Sequence, residues 1–256
     1  MDRANLIEAQ KKGISKYSVR ESPVRYQPRL SLGKPKVSPL PIEYLDAERI
    51  LQRLLRQDLT TFNGEKTAHS VHKLHAFPAK FPPQLPRLFI QELSNPGEWF
   101  LDPMAGSGTA LIEAVLEGRH AIGIDLDPLA SLIARVKSVP SNLSQCAREG
   151  SKVLQEARKR ISLSVHKELS HQYTPQSLEF FRYWFEEHTI TELFTLSQEI
   201  KKVKDADIRG FLQVVFSSMI ITKSGGLTRA RDLAHSRPHL DANKKVKQNT
   251  FKVFTE

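Results

Sequence analysis

Residues 98–125 read as strand, glycine turn, helix and strand, an order that is typical of α/β folds. Glu98–Leu101 is a short apolar run that predicts a buried strand, and Asp102–Thr109 is a tight turn with two glycines. Ala110–Glu117 has apolar residues at helical spacing, and Ala121–Asp125 is a second apolar run that ends in an acid. A helix that joins two neighbouring strands in this way predicts parallel pairing with a right-handed crossover.

Most of the remaining chain has helical spacing, so we expect strands to be a small part of the fold. The predicted helices are 46–59, 84–93, 129–138, about 143–169, 177–203 and 205–222. Five prolines among basic residues predict an extended arm at the N-terminal end, and the last thirty or so residues show no core pattern. The expected divisions are a basic, proline-containing arm (1–44), a βαβ portion (45–140), a helical insert (141–223) and a basic tail (224–256).

The positive charge of the chain lies at its two ends. The net charge is +10, residues 1–40 hold nine basic and three acidic side chains, and residues 223–256 hold eight and three. Basic ends around a neutral middle suit contact with a polyanion such as nucleic acid, and solvated tails are an equally good interpretation of charge alone. The candidate nucleic-acid contacts are Arg229, Arg231, Lys244 and Lys245.

Several classes of protein do not fit this sequence. No run of eighteen apolar residues predicts a membrane span, and the first residues lack the apolar core of a secretion signal. The single cysteine, Cys146, cannot form an internal disulfide. His69, His72 and His75 are spaced by three but lack nearby acids or cysteines, so no metal site is expected. We therefore expect a reduced, cytoplasmic protein without a metal.

The glycine turn differs from two common phosphate-binding turns. A nucleoside-triphosphate loop ends in Gly-Lys-Ser/Thr, but Gly108 is followed by Thr109 and an alanine. A dinucleotide-binding turn has a third glycine at the position of Leu111. Asp-Pro before the glycines and Asp125 at the next strand end suit S-adenosylmethionine, which has no pyrophosphate. The alternative is a turn that is rich in glycine only for tight packing.

The residues around this turn have distinct expected roles toward S-adenosylmethionine. The small residues would let the backbone approach its methionine portion, and Asp102 would lie near its amino group. Asp125 would accept hydrogen bonds from both ribose hydroxyls. The candidate cofactor-binding residues here are Asp102, Pro103, Ala105, Gly106, Ser107, Gly108, Thr109 and Asp125.

The sequence Asp-Pro-Met-Ala-Gly-Ser-Gly-Thr at 102–109 resembles motif I of the DNA amino-methyltransferases, which methylate cytosine N4 or adenine N6. Those enzymes carry a Pro/Lys-containing turn upstream that covers the methionine end of the cofactor, and Phe77, Pro78 and Lys80 match it. The resemblance runs from His69 to Lys137. It implies a Rossmann-like α/β fold, S-adenosylmethionine as cofactor, DNA as substrate and a role in restriction-modification, and it adds Phe77 and Lys80 to the cofactor-binding residues.

A second motif of this family is not found. Asp/Asn/Ser-Pro-Pro-Tyr/Phe holds the exocyclic amine and stacks on the flipped base. The only Pro-Pro pair here is Pro82–Pro83, with Phe81 before it and Gln84 after it. Only two of the seven strands that the family normally has are clear. We therefore expect an incomplete parallel sheet with a large helical insert, no catalytic residue in this chain, and either a second polypeptide that carries the motif or a truncated gene.

Two other functions stay open at this stage. The chain could be a non-catalytic remnant that binds S-adenosylmethionine or nucleic acid, or part of an RNA or protein methyltransferase with a similar turn. The aromatic cluster at Phe180, Phe181, Trp184 and Phe185 could stack on bases, but its helical spacing favours a place in the core.

Overall fold

The computed structural model describes residues 44–56, 70–78, 80, 82–139, 141–161, 164–220, 226–230 and 249–255. These residues belong to one compact unit of the chain, residues 32–256. The elements within them are helix α1 (Tyr44–Leu55), a 3₁₀ turn (Ser70–Lys73), α2 (Gln84–Leu93), β1 (Trp99–Asp102), α3 (Thr109–Leu116), β2 (His120–Gly123), α4 (Pro128–Ser138), α5 (Leu143–Arg160), α6 (Ser164–Gln172), α7 (Pro175–Trp184), α8 (Glu187–Lys201), α9 (Ala206–Ile220) and α10 (Thr250–Thr255).

The predicted βαβ unit is confirmed. In the described part of the chain β1 and β2 form a two-stranded parallel sheet, with Trp99 opposite His120 and Asp102 opposite Gly123. Helix α3 crosses from one strand to the other, as the apolar spacing predicts. The fold is therefore α/β, with a small parallel sheet in a mostly helical chain.

Helices α3 and α4 cover only one face of this sheet. Leu111 and Ala134 form a small buried cluster with Ala105, and Phe100 and Ala121 of the two strands pack against it. Because side chains alternate across a strand, the neighbouring residues point to the opposite face. On that face Trp99 is 67% exposed and Leu101 is 58% exposed.

Local capping explains where several helices begin. Asp127 accepts a hydrogen bond from the backbone of Leu129, which fixes the first turn of α4. Asn142 caps α5 in the same way, and Thr174 caps α7, whose first residue is Pro175. The Asp127 cap starts α4 two residues after Asp125, which follows β2.

Two long predicted helices are each divided in the structure. The segment predicted at 143–169 forms α5 and α6, and the segment at 177–203 forms α7 and α8. The second division lies at Phe185, whose extended backbone ends α7. Apolar spacing is similar on both sides of such a break, so periodicity alone did not reveal it.

The larger core lies among the helices after residue 141. Leu154 of α5, Leu196 of α8 and Leu212 of α9 are buried in it together with Trp184 and Phe185. The predicted core position is therefore confirmed for these two aromatic residues, whereas Phe180 of the same predicted cluster is 46% exposed. None of the described helices is long and apolar enough to cross a membrane.

The structure differs from the tail expected at 224–256. Leu227 and Ala230 are buried in the helical core, and so is Phe251 of α10. Isolated apolar residues between polar ones give no periodic signal, but tertiary packing buries them. Parts of this segment therefore help to hold the helical core together.

Candidate cofactor site

The glycine turn starts at the carboxyl end of β1 and is fixed to the end of β2. The backbone carbonyl of Asp102 accepts from the N–H of Ile124 at 2.9 Å, and the N–H of Ala105 donates to the carbonyl of Ile124 at 3.0 Å. The carboxylate of Asp102 accepts from the N–H of Met104 at 3.0 Å. These bonds give the turn a defined shape at the edge where ligands bind in parallel α/β sheets.

Asp125 is bound directly to the glycine turn. Its Oδ2 accepts from the backbone N–H of Gly106 at 2.7 Å, and its Oδ1 accepts from the N–H of Asp127 at 2.9 Å. The predicted proximity of the turn and the strand-end acid is thus present. Each carboxylate oxygen has a second lone pair, so both can still accept hydrogen bonds from a ligand.

The two glycines of the turn have different reasons to be glycine. Gly108 has φ +81°, and a Cβ on it would lie 2.8 Å from the Cβ of Ala134 in α4. Gly106 has φ +51°, but the nearest atom to its would-be Cβ is Cε1 of Phe77, at 3.9 Å. Gly108 therefore allows close helix packing, whereas Gly106 leaves backbone accessible beside the Phe77 ring.

A third glycine was not singled out from the sequence. A Cβ on Gly123, at the end of β2, would lie 2.3 Å from Cδ1 of Leu111 and 3.0 Å from Cβ of Ala105. Because Gly123 has no Cβ, α3 and the glycine turn can approach the strand closely. Its place in the second apolar run, two residues before Asp125, is the sequence signal that could have identified it.

The predicted turn residues divide into an outer and an inner set. Asp102, Gly106 and Asp125 are half-buried, and Pro103 is exposed. The inner set is buried and consists of Ala105, Ser107, Gly108 and Thr109. The outer set can present polar atoms to a ligand, whereas the inner set shapes the turn from behind.

The upstream turn reaches the same place. The Phe77 ring lies near Gly106, and the Lys80 ammonium donates to the backbone carbonyls of His75 at 2.9 Å and His72 at 3.0 Å. Lys80 therefore fixes the conformation of the upstream turn around Phe77. Its predicted contact with a cofactor stays a prediction.

A buried ion pair holds this upstream turn against α3. The Nε2 atom of His72 lies 2.8 Å from Glu113 Oε1, and Arg87 Nε donates to Glu113 Oε2 at 2.7 Å. Burial alone would raise the pKa of Glu113, but the hydrogen bonds and charges of His72 and Arg87 outweigh it and lower that pKa. Glu113 is therefore a buried carboxylate that connects the upstream turn and α2 to α3.

Two further basic groups lie buried beside Lys80. His75 is almost fully buried, with Nε2 3.0 Å from Ser217 Oγ, and its pKa is lowered to about 4 by burial and by the charges of Lys137 and Lys80. Burial, followed by the charge of Lys80, lowers the pKa of Lys137 to about 8. Sequence patterns did not single out Lys137, because it occupies an ordinary helical position.

Only one of the four predicted nucleic-acid contacts lies within the described residues. Arg229 is half-buried and its guanidinium forms an ion pair with Glu186. Arg231, Lys244 and Lys245 lie outside the described residues, as does His69. Within the described ranges no group of His, Cys, Asp and Glu is arranged to hold a metal ion.

The region that contains this site is similar to known proteins. Residues 23–135 match the family model described as DNA methylase, of the N6/N4 methyltransferase type. The chain is 26% identical over 162 residues to the Type II methyltransferase M.MvaI of Kocuria varians, covering 62% of this chain and 36% of M.MvaI. It is 44% identical over 73 residues to the Type II methyltransferase M.MjaII of Methanocaldococcus jannaschii, covering 28% of this chain and 14% of M.MjaII.

A third relative overlaps over a shorter stretch. M.BglI of Bacillus subtilis, also a Type II methyltransferase, is 42% identical over 59 residues, which are 23% of this chain and 17% of M.BglI. The matched regions thus span little more than a third of these relatives, or less. No solved structure matches the chain.

Proposed function

We propose that this chain, whose residues 23–135 match the DNA methylase family model, is the S-adenosylmethionine-binding part of an enzyme that methylates cytosine N4 or adenine N6 in DNA. The observation that carries the proposal is the 2.7 Å hydrogen bond between Gly106 and Asp125. It joins the glycine turn and the strand-end acid into one site at the carboxyl edge of the sheet, where α/β folds bind ligands.

The residues present fit S-adenosylmethionine. Gly106 leaves its backbone accessible beside Phe77, and the free lone pairs of Asp125 suit the two ribose hydroxyls. Asp102 would balance the positive amino group of the methionine portion. The bound cofactor would supply an electrophilic methyl group on sulfur, and the chain's own residues would orient that group toward the acceptor amine.

The uncovered face of the sheet supports an additional polypeptide as partner. Trp99 and Leu101 of β1 lie beside His120 and Ile122 of β2 on this face, and the rings of Trp99 and His120 are 4.9 Å apart. Exposed apolar side chains on a two-stranded sheet are unfavourable in water, and parallel sheets are normally covered on both faces. We propose that the partner covers this face and carries the Pro-Pro-aromatic motif that holds the acceptor base.

The experiment that tests the partner is co-expression with the polypeptide of a neighbouring reading frame that contains this motif. We expect the two chains to co-purify, and the double variant Leu101→Asp/Ile122→Asp to abolish co-purification. Leu143→Asp, at an exposed apolar position of α5, is the matched control and should have no effect. Loss of co-purification in the control alone, or in neither variant, would contradict this docking face.

Methyl transfer tests the enzyme itself. The single chain should incorporate no tritiated methyl into DNA, because we expect the motif that holds the acceptor base to lie on the partner. The complex should incorporate it, and Asp102→Ala should abolish that activity. Incorporation by the purified single chain that is lost in Asp102→Ala would instead identify a self-sufficient enzyme.

DNA contact is proposed to come mainly from the basic ends. Arg229 is engaged by Glu186, so we expect it to contribute less than Arg231, Lys244 and Lys245. Phosphate contacts of this kind give binding that weakens steeply with salt and depends little on sequence.

If the chain binds S-adenosylmethionine and DNA but no partner restores transfer, the alternative of a non-catalytic binding protein is favoured.

A further inference from the structure

The upstream turn is held in place by side-chain bonds. Its residues 74–78 form neither helix nor strand, so the regular hydrogen bonds of those elements do not fix them. Lys80 donates to the carbonyls of His72 and His75 within the turn, and His72 Nε2 lies 2.8 Å from Glu113 of α3. The position of the turn therefore depends on a few bonds to the elements around it.

One of these bonds leads to the helical core. His75 is 1% exposed, and its Nε2 lies 3.0 Å from Oγ of Ser217 in α9. Its Nδ1 has no hydrogen-bond partner among the residues that the structure describes, so in that part of the chain Ser217 alone hydrogen-bonds the ring. The imidazole is neutral at pH 7, because burial and the charges of Lys137 and Lys80 lower its pKa to about 4. A single hydroxyl therefore fixes the direction of a buried ring.

Ser217 itself is held in place by helix packing. Helix α9 packs against α4 at Gly210, where a Cβ would lie 3.5 Å from a side chain of α4. Helix α4 in turn packs against the glycine turn, where a Cβ on Gly108 would lie 2.8 Å from the Cβ of Ala134. The glycine turn, α4 and α9 thus form one connected set of contacts, and Ser217 joins the upstream turn to that set.

The bond bears on Phe77, which follows His75 by two residues. Phe77 is half-buried, and its Cε1 lies 3.9 Å from the place of a Cβ on Gly106. Without the Ser217 hydroxyl the buried Nε2 has no partner, which is unfavourable, so the imidazole should move toward water or another donor. Because only Ala76 separates His75 from Phe77, this movement would displace the Phe77 ring from Gly106.

We propose that Ser217 is a positioning residue for the cofactor: by fixing His75, it keeps the Phe77 ring beside Gly106. This inference rests on the proposed function, since Phe77 is one of the residues proposed to bind S-adenosylmethionine. Ser217 acts on the cofactor only through the upstream turn. The helical core thereby contributes to the affinity of a site at the edge of the sheet.

The test is a double-mutant cycle in which calorimetry measures the affinity of the full chain for S-adenosylmethionine. Ser217→Ala should weaken binding about fivefold, the order of one hydrogen bond. In a Phe77→Ala background the same change should have no further effect, because the ring that Ser217 positions is already gone. A residue with only a structural role would instead cause the same loss in both backgrounds.

Two further variants separate the hydroxyl from general effects on α9. Ser218→Ala is the matched control, because this neighbouring serine is also half-buried and its hydroxyl donates within its own helix, to the carbonyl of Val215 at 2.7 Å. It should leave the affinity unchanged. Ser217→Thr keeps a hydroxyl and should retain most of the affinity that Ser217→Ala loses. Circular dichroism of each variant shows that binding is measured on folded protein.

The outcomes separate this inference from the proposed function. If Phe77→Ala binds more weakly but Ser217→Ala binds like the unmodified chain, the inference is overturned and the cofactor site stands. An equal loss in both backgrounds, an equal loss in Ser218→Ala, or full affinity in Phe77→Ala would overturn it as well. If Ser217→Ala does not fold, Ser217→Cys, with its weaker donor, takes its place in the cycle. If the unmodified chain bound no S-adenosylmethionine, the proposed function would fail together with the inference.

Discussion

Gly106 donates its backbone N–H to Oδ2 of Asp125 over 2.7 Å, although nineteen positions separate the two residues. The bond links the turn after β1 to the end of β2, so the same carboxylate both shapes the turn and faces the ligand edge. A hydrogen bond to a charged group contributes about 1.5–3 kcal/mol. The Asp125 side chain therefore adds a charged hydrogen bond to the backbone bonds that join the turn to the end of β2.

The two glycines of the turn should differ in their tolerance of substitution. Gly108→Ala should lower the free energy of unfolding by about 2–4 kcal/mol. The new Cβ would lie 2.8 Å from the Cβ of Ala134, and the alanine would have to adopt the left-handed backbone conformation of Gly108. Gly106→Ala should cost about 1 kcal/mol, because its neighbour at 3.9 Å leaves room. Urea denaturation of both variants measures this, and equal losses would contradict the packing account.

His75 should make the protein less stable in acid. Its pKa is about 4 in the folded chain and 6.5 in an unfolded one, so the unfolded state binds more protons between these values. The free energy of unfolding therefore falls as the pH decreases from 6.5 to 4. The loss is up to about 3 kcal/mol, at about 1.4 kcal/mol for each unit of pKa difference. His75→Gln should flatten the decrease in urea denaturation between pH 7 and 4, whereas the half-exposed control His166→Gln should not.

Lys137 should destabilise the ligand-free chain at neutral pH. Its pKa is about 8 when folded and 10.5 when unfolded, so the cost of burying its charge is complete below pH 8 and disappears as the pH approaches 10.5. Lys137→Met should therefore raise the free energy of unfolding at pH 7 by up to about 3 kcal/mol, with a gain that shrinks toward pH 10.

Urea denaturation at both pH values measures this gain. Lys80 is present in both proteins, whereas loss of the Lys137 charge also removes one of the causes that lower the pKa of His75. Lys159→Met supplies the exposed control. A destabilised Lys137→Met at pH 7 would show that the ammonium has a partner that the described residues do not supply.

The charge of the ends should dominate binding to DNA. Deleting residues 226–256 would remove Leu227 and Phe251 from the helical core, so substitution is the better test. Replacing Lys244, Lys245 and Lys247 with glutamine should weaken DNA binding and reduce its dependence on salt. The slope of the logarithm of the binding constant against the logarithm of the salt concentration should decrease in magnitude by about 0.9 for each phosphate that the variant no longer neutralises. Lys152, Lys159 and Lys201, replaced together, are the control, and an equal effect there would indicate unspecific charge attraction.

The sequence predicted the parts of the site that depend on local order along the chain. Parallel strands bring their carboxyl ends to one edge, so the turn after β1 and Asp125 had to be neighbours. The Phe77 ring lies near Gly106, and the role of the upstream turn that the family resemblance implies stays a prediction. These features follow from short segments whose patterns are strong.

Contacts between distant segments were not predictable in this way. His75 and Ser217 are 142 positions apart, and Ala134 of α4 packs against Gly108 although 26 positions separate them. Nothing in the periodicity of α4 distinguishes a buried lysine from an exposed one. The core position of Phe251 was missed for the same reason, since its burial depends on helices formed much earlier in the chain.

Calorimetric titration with S-adenosylmethionine tests the central claim most directly, using the full chain, Asp125→Ala and the exposed control Asp46→Ala. Circular dichroism of each protein shows whether it is folded before titration. The account predicts saturable binding to the unmodified chain and to the control, and binding to Asp125→Ala that is weaker by about 1.5–3 kcal/mol. Binding of equal strength to all three folded proteins, or no binding to the unmodified chain, would contradict it.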